Sequence, residues 1–315
     1  MDLVPSIVQP SAPTMKRVSS APESTAGSSS AALTQANPGN KAFREIWYAL
    51  NVLLLVSLLT AVYSIVWEYS TRRYLKGFSD AIISAVAPPE ERVKAILSWM
   101  SHGPARQPGR SGVVPSDPTD TLNYASLVQV CGSATNAFVN LADSVGIAAR
   151  RLLLLTPANQ AKHVVAEVLI DGRWVVVDPA FRVIPRGAGG KLLTREDLPD
   201  PATFVAATRG IPHYDPDDTF ERTAHVRLSR IRFVSHPLRA LPDRLLPGWD
   251  DSTTVSLLIE RRSLATMVVV IILTLSLSIF RVFLRRYGEK FLAFHAVRIR
   301  DQVRSACTAF LHTAS

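Results

Sequence analysis

His163-Val164-Val165-Ala166-Glu167-Val168-Leu169-Ile170-Asp171-Gly172-Arg173-Trp174-Val175-Val176-Val177-Asp178 consists of two runs rich in β-branched residues, separated by Asp-Gly. Both central residues of a type I′ turn need φ > 0, so Asp-Gly between two such runs is a strong signal for a two-residue hairpin. The turn fixes the register. With Ile170 opposite Arg173, Leu169 falls opposite Trp174, Glu167 opposite Val176 and Val165 opposite Asp178, so His163 and Asp178 emerge on one face as a diagonal pair. Diagonal neighbours lie roughly 7–8 Å apart at the backbone, within reach of an imidazole and a carboxylate. A slip of one residue would put the two on opposite faces. Glu167 shares the face of His163 and reads as a solvated strand residue rather than as a secondary polar partner.

Upstream, Cys131-Gly132-Ser133-Ala134-Thr135-Asn136-Ala137-Phe138-Val139-Asn140-Leu141-Ala142 reads as a helix with Ala134, Phe138, Leu141 and Ala142 on one face. Cys131 then stands at a helix N-terminus. The backbone N–H groups and the positive dipole end found there favour a thiolate, which is the nucleophilic form. Arg150 to Leu155 reads as a further strand, which makes the core one helix packed on an antiparallel sheet. Singly, a cysteine on an apolar helix is often a small buried hydrophobe, and a strand histidine is often a structural residue. A nucleophile, a base and an orienting carboxylate in this order need a joint explanation, and a thiol-nucleophile site supplies it.

Cys131 at a helix start, Gly146-Ile147-Ala148-Ala149-Arg150, the strand His163-x-x-x-Glu167-Val168, Gly172-x-Trp174 and Asp178-Pro179 together resemble the transglutaminase-like superfamily of papain-type cysteine enzymes. The resemblance runs from about Pro88 to Phe181 and includes an upstream helix around Glu90 to Trp99. It implies an α+β fold with a papain/transglutaminase-like core, the nucleophile helix lying on an antiparallel sheet. It also implies Cys131 as nucleophile, His163 as general base and acid, and Asp178 as the residue that orients the imidazole. The oxyanion donors would be the backbone N–H of Cys131 and, second, Gln129. Gln129 itself stands where the family commonly has glycine. The implied substrate is a protein or peptide amide, attacked to give a thioester acyl-enzyme that an amine or water resolves. The competing class is a non-catalytic member serving envelope or exopolysaccharide assembly or export, with envelope proteins as complex partners.

Two apolar segments flank this core. Ile46 to Trp67 is uncharged, bounded by Glu45 and Glu68, and carries Trp47, Tyr48, Tyr63 and Trp67 near its ends as an aromatic belt would. Ser263 to Phe280 is the second, extending to Leu284 if Arg281 snorkels. A hydrocarbon core needs about 20 residues, which both supply. Arg281, Arg285, Arg286, Lys290, Arg298 and Arg300 follow the second span against Arg261 and Arg262 before it, so the positive-inside rule places both termini in the cytoplasm. The expected order is a disordered cytoplasmic tail (1–42), a first transmembrane helix (43–68), an extracytoplasmic domain (69–262), a second transmembrane helix (263–284) and a basic cytoplasmic tail (285–315). The first span reads as an anchor rather than a cleaved signal peptide, since no clear small-x-small site follows it.

The chain has 315 residues, a formal net charge of +9 and only two cysteines, Cys131 and Cys307. On this topology they lie on opposite sides of the membrane, so no disulfide framework is expected and Cys131 is flagged as a reactive thiol. The positive charge is explained by membrane-flanking arginines and anionic lipid rather than by nucleic acid. Residues 1 to about 40, rich in Ser, Ala, Pro and Thr, read as disordered. Phe78 to Trp99 reads as helical with a break at Ala87-Pro88-Pro89, and Gly103 to Thr121 as a loop. Pro185 to Gly190 is a loop without the Lys-Ser/Thr ending of a phosphate cradle, Thr194 to Asp197 reads as a helix start, and Ile211 to Asp218 as a turn-rich stretch. The remaining histidines show no metal-ligand spacing, and neither metal nor cofactor is expected.

Overall fold

The computed structural model describes residues 38–84, 86–102, 122, 130–226, 244 and 248–291. The predicted tail before residue 38, the loop from Gly103 to Thr121, Gln129, Cys307 and the basic segment beyond 291 lie outside the described residues. Strand β1 (Ala149–Leu155), β2 (Ala161–Ile170) and β3 (Arg173–Val177) form an antiparallel sheet. The hairpin turns as its chemistry requires, with Asp171 at φ 49° and Gly172 at φ 78°. Its register runs Ile170↔Arg173, Leu169↔Trp174, Glu167↔Val176 and Ala166↔Val177.

There the ladder ends, one pair short of the expected Val165–Asp178 match. Asp178 instead bridges Val183: the two residues exchange backbone hydrogen bonds at 2.9 and 3.0 Å. Pro179 has no N–H to continue a ladder, and Arg182, at φ 61°, folds the chain back. At the other end of β2 the β1 pairing shifts between Leu154 and Leu155, a bulge beside His163.

Helix α1 (Pro38–Ile82) and α2 (Pro89–Ser101) precede α3 (Cys131–Ser144). Helix α1 ends at Ile82, and Pro88 and Pro89 then open α2 as its N-cap and first residue, because the fixed φ of proline suits the first helical turn. Val93, Ile96, Leu97 and Met100 of α2, Phe138, Leu141 and Ala142 of α3, and Val164, Ala166 and Val168 of β2 belong to one buried core, with α3 between α2 and the sheet. The opposite sheet face carries Leu152, Leu154, Val165 and Val176, covered by Leu198, Phe204 and Phe220. Each fully buried Leu or Phe here contributes roughly 1.5–3 kcal/mol. A short fourth strand, β4 (Thr223–Ala224), pairs with β1 and gives the sheet order β3–β2–β1–β4.

Helix α4 (Pro201–Thr208) starts later than the expected start at Thr194. Thr194 does donate to Asp197 from its N–H and hydroxyl at 2.9 and 3.0 Å, but Pro199 disfavours helical backbone just before it. Asp200, which accepts the Thr203 N–H at 2.9 Å, is the true cap. The Gly187–Gly190 region is a tight turn, as read, with Gly189 and Gly190 at positive φ.

Helix α5 (Thr253–Glu260) leads into α6 (Arg262–Phe291). The helices α1 and α6 are long and apolar enough to cross a membrane, with mean hydropathy 2.3 and 2.6 over their most apolar windows. They pack against each other through a 2.5 Å contact between the Ser57 and Thr274 hydroxyls. Arg281 donates to Asn51 Oδ1 at 2.7 Å and lies over the Trp47 ring. Nor does α1 end with its apolar stretch. It continues to Ile82, where Leu75 and Ile83 enter the core shared with α3 and Phe78 packs edge-on against Trp99 at 5.0 Å.

At the junction, Arg261 is buried. Its guanidinium reaches Asn140 Oδ1 (2.8 Å) and Asp143 Oδ2 (2.7 Å) on α3 and Glu68 Oε1 (3.3 Å) on α1, while Ser263 of α6 donates to Glu68 Oε2 at 2.7 Å. Asn136 adds a bond to Glu260 Oε2 at 2.9 Å. Removing one partner of a buried ion cluster leaves charge stranded, so Arg261→Leu is expected to cost about 3–5 kcal/mol. Arg72→Ala, which breaks a pair whose arginine is exposed, is expected to cost less than about 1 kcal/mol. Thermal unfolding of the full-length variants in detergent micelles measures both.

Candidate active site

Cys131 is the first residue of α3. Val130 before it is extended (φ −149°, ψ 147°) and supplies no side-chain cap, so the turn closes through backbone bonds from Ser133 and Ala134 to its carbonyl. The helix is buried from Cys131 to Ala142, and the Thr135 hydroxyl donates to the Val164 carbonyl at 3.0 Å, fixing the helix start against the strand segment that carries His163.

His163 and Asp178 are both fully buried. The Nε2–H of His163 donates to Asp178 Oδ2 at 2.7 Å. The other carboxylate oxygen accepts the backbone N–H groups of Ala180 and Phe181 at 3.0 and 3.1 Å. The same turn that removes Asp178 from the ladder therefore locks its side chain toward the histidine. The expected diagonal pair is made, although by a turn after β3 rather than by a ladder position.

Asp178 takes Nε2, which leaves Nδ1 as the nitrogen for Cys131, the other group acting on the ring; this is the reverse of the serine-protease arrangement in which Nδ1 faces the carboxylate. Burial alone would push the His163 pKa down. The charge and hydrogen bond of Asp178, followed by the hydrogen bond and charge of Cys131, more than offset this and lift it to about 10. Cys131 acts on the ring as a close neighbour, through both its hydrogen bond and its charge. Phe181 and Tyr214 stand edge-on to the imidazole, with centroids 5.9 and 6.2 Å away, and shield it from solvent.

Two features escaped sequence reading. Glu167, expected to be solvated, is buried: it accepts Arg150 Nε at 2.8 Å and His225 Nε2 at 2.6 Å. Burial would raise its pKa, but the His225 hydrogen bond and the Arg150 charge together hold it below the usual carboxylate value. His225 contacts Asp251 through Nδ1 at 2.6 Å, so this cluster staples the later chain to the sheet. Arg150 stands opposite Glu167 on β1, but His225 lies 58 positions downstream of it, beyond any local pattern. The second is Asp218, almost fully buried, whose Oδ2 stands 4.0 Å from His163 Nδ1. Its stretch Asp215-Pro216-Asp217-Asp218 reads only as a turn. The one available clue was the basic Lys162 beside His163, whose Nζ lies 3.4 to 3.9 Å from Asp215, Asp217 and Asp218.

An imidazolium beside the sulfur should keep Cys131 a thiolate well below the ordinary thiol value of about 8.5. Alkylation of Cys131 by iodoacetamide is expected to stay fast in mildly acidic solution. His163→Ala removes the cation, so the midpoint should rise toward that value, with circular dichroism confirming the fold. The rate at the Cys131 peptide, followed against pH by mass spectrometry, is the measurement.

No curated protein and no solved structure matches the chain. Residues 76–179 do match the model of the transglutaminase-like superfamily, a stretch that holds Cys131, His163 and Asp178 and the helix–hairpin core around them. The chain thus carries a transglutaminase-like superfamily domain at residues 76–179.

Proposed function

We propose that this protein is a membrane-anchored cysteine enzyme that acts on amide bonds of protein or peptide substrates through a thioester acyl-enzyme. The observation that carries the reading is the buried 2.7 Å contact between His163 and Asp178, set beside a cysteine at the start of a buried helix. The Cys131 thiolate attacks the carbonyl carbon, forming the C–S bond. The carbonyl oxygen takes the negative charge and is held by the backbone N–H of Cys131, with Gln129 as a second donor. His163 gives its Nδ1 proton to the leaving amine as the C–N bond breaks, then takes a proton from the incoming amine or water that releases the acyl group. Asp178 keeps Nε2–H engaged, so the thiol-facing nitrogen is the one that exchanges protons.

Phe181 and Tyr214, packed on each other at 4.6 Å and against the imidazole, give the base a partly dry surround, which favours an amine acceptor over water. A non-catalytic role in envelope or exopolysaccharide assembly or export is the second reading. It draws on the Arg261 cluster, which joins α3 to both apolar helices as a part built to transmit position would. In both readings residues 69–262 are extracytoplasmic and both termini cytoplasmic.

Mass spectrometry of envelope peptides from cells with the wild-type protein and with Cys131→Ala tests the activity. Crosslinks or cleavages lost with the cysteine support it; identical peptide maps support the assembly role. Asp178→Ala should slow turnover strongly, and Asp178→Asn less, because an amide oxygen still accepts the ring N–H. Reporter fusions at residues 69–262 and at the C-terminus test the topology: an exported C-terminal reporter contradicts it.

A further inference from the structure

We propose that Asp218 is a second carboxylate of this site, acting as a positioning residue that holds His163 in its protonated, Cys131-paired form from the thiol-facing side. The inference rests on the reading of Cys131 as nucleophile and adds a residue outside the 76–179 stretch that matches the superfamily. His163 Nδ1 is buried and makes no hydrogen bond of ordinary geometry among the described residues, and Asp218 Oδ2 lies 4.0 Å from it. That is an ion-pair distance once the ring carries its second proton. The two carboxylates take different nitrogens, Asp178 at Nε2 and Asp218 at Nδ1.

The placement of Asp218 is built, not incidental. Its backbone N–H closes a turn on the Asp215 carbonyl at 3.0 Å, and Asp217 N–H donates to Asp215 Oδ1 at 2.9 Å. Lys162, one residue before His163, reaches all three aspartates and draws the turn onto β2. Tyr214, just before the turn, packs against the same imidazole. Phe220, just after it, is buried under the sheet. Of the three acids, Asp217 is mostly exposed and Asp218 is buried, so their charges reach the ring very unequally.

The groups facing the imidazole are therefore Asp178 after β3, Cys131 on α3, Asp218 and Tyr214 from the 214–218 segment, Phe181 after the β3 turn, and Lys162 beside it on β2. Lys162 offsets part of the Asp218 charge, but its ammonium is partly solvated whereas the carboxylate is buried. A buried carboxylate at this distance favours the charged ring. With it in place the imidazolium survives further into alkaline solution, and the sulfur keeps a cation beside it.

The rates of Cys131 alkylation by iodoacetate and by iodoacetamide, compared against pH on the full-length protein in micelles, read the ring charge. In each, the thiolate forms a C–S bond and iodide leaves. Only iodoacetate, an anion, is drawn by the imidazolium, so the ratio of the two rates falls where His163 loses its proton. Asp218→Asn is expected to move that fall down by about one pH unit, and Asp218→Glu to restore most of it. Asp217→Asn, in the same turn but exposed, should leave it in place. An Asp218→Asn profile within about 0.3 unit of wild type, in a protein with wild-type circular dichroism, overturns the proposal alone. Equal shifts in the Asn and Glu variants also overturn it, since a merely structural role would make the two alike. A wild-type protein with no iodoacetate preference at any pH overturns both this proposal and the reading of Cys131 as a paired nucleophile.

Discussion

The carboxylate of Asp178 is the constraint on which the site depends. It is buried with His163, and a buried carboxylate is tolerated only when its oxygens are satisfied. One oxygen takes the imidazole and the other takes two backbone N–H groups of the turn at Ala180 and Phe181. The ring is thereby fixed in rotation, its proton affinity is raised, and its remaining nitrogen is aimed toward the start of α3. That start is in turn held by Thr135 on the Val164 carbonyl. Two ties, one to each side of the histidine, thus set the geometry that the sulfur meets.

The hairpin was legible because its information is local. Asp171-Gly172 specifies a turn with two positive φ angles, and the pleat then dictates which residues face each other down to Ala166 and Val177. The last pair was misjudged because ladder logic does not include Pro179, which ends the strand and sends Asp178 to bridge Val183. The cysteine helix was legible for the same local reason, as a run of apolar positions. Glu167 and Asp218 were not, since each is defined by partners far away in sequence. A glutamate on a strand looks solvated until Arg150 and His225 arrive from elsewhere in the chain. The helix expected at Thr194 shows a third kind of limit: its first turn forms, but Pro199 prevents propagation.

The apolar helices are more closely joined to the domain than a pair of tethers would be. Helix α1 runs from its apolar segment into the core beneath α3 without a break. Arg261 then ties α3 to α1 just before α6 begins, and Ser263 closes the cluster onto Glu68. Ion clusters buried in this way add little net stability but are costly to disrupt, so they fix one arrangement against alternatives. The packing of α1 on α6 and the position of the nucleophile helix are therefore set by shared residues rather than independently.

The most direct test of the account is the rate at which Cys131 in the native, full-length protein reacts with iodoacetamide at neutral pH, compared with the same cysteine in the denatured chain. An ordinary thiol is only a few per cent thiolate at pH 7, so a stabilised thiolate has a reservoir of reactivity that unfolding removes. The account predicts that native Cys131 reacts at least about tenfold faster than denatured Cys131. A native rate equal to or below the denatured one would contradict it and would leave Cys131 as a buried structural residue.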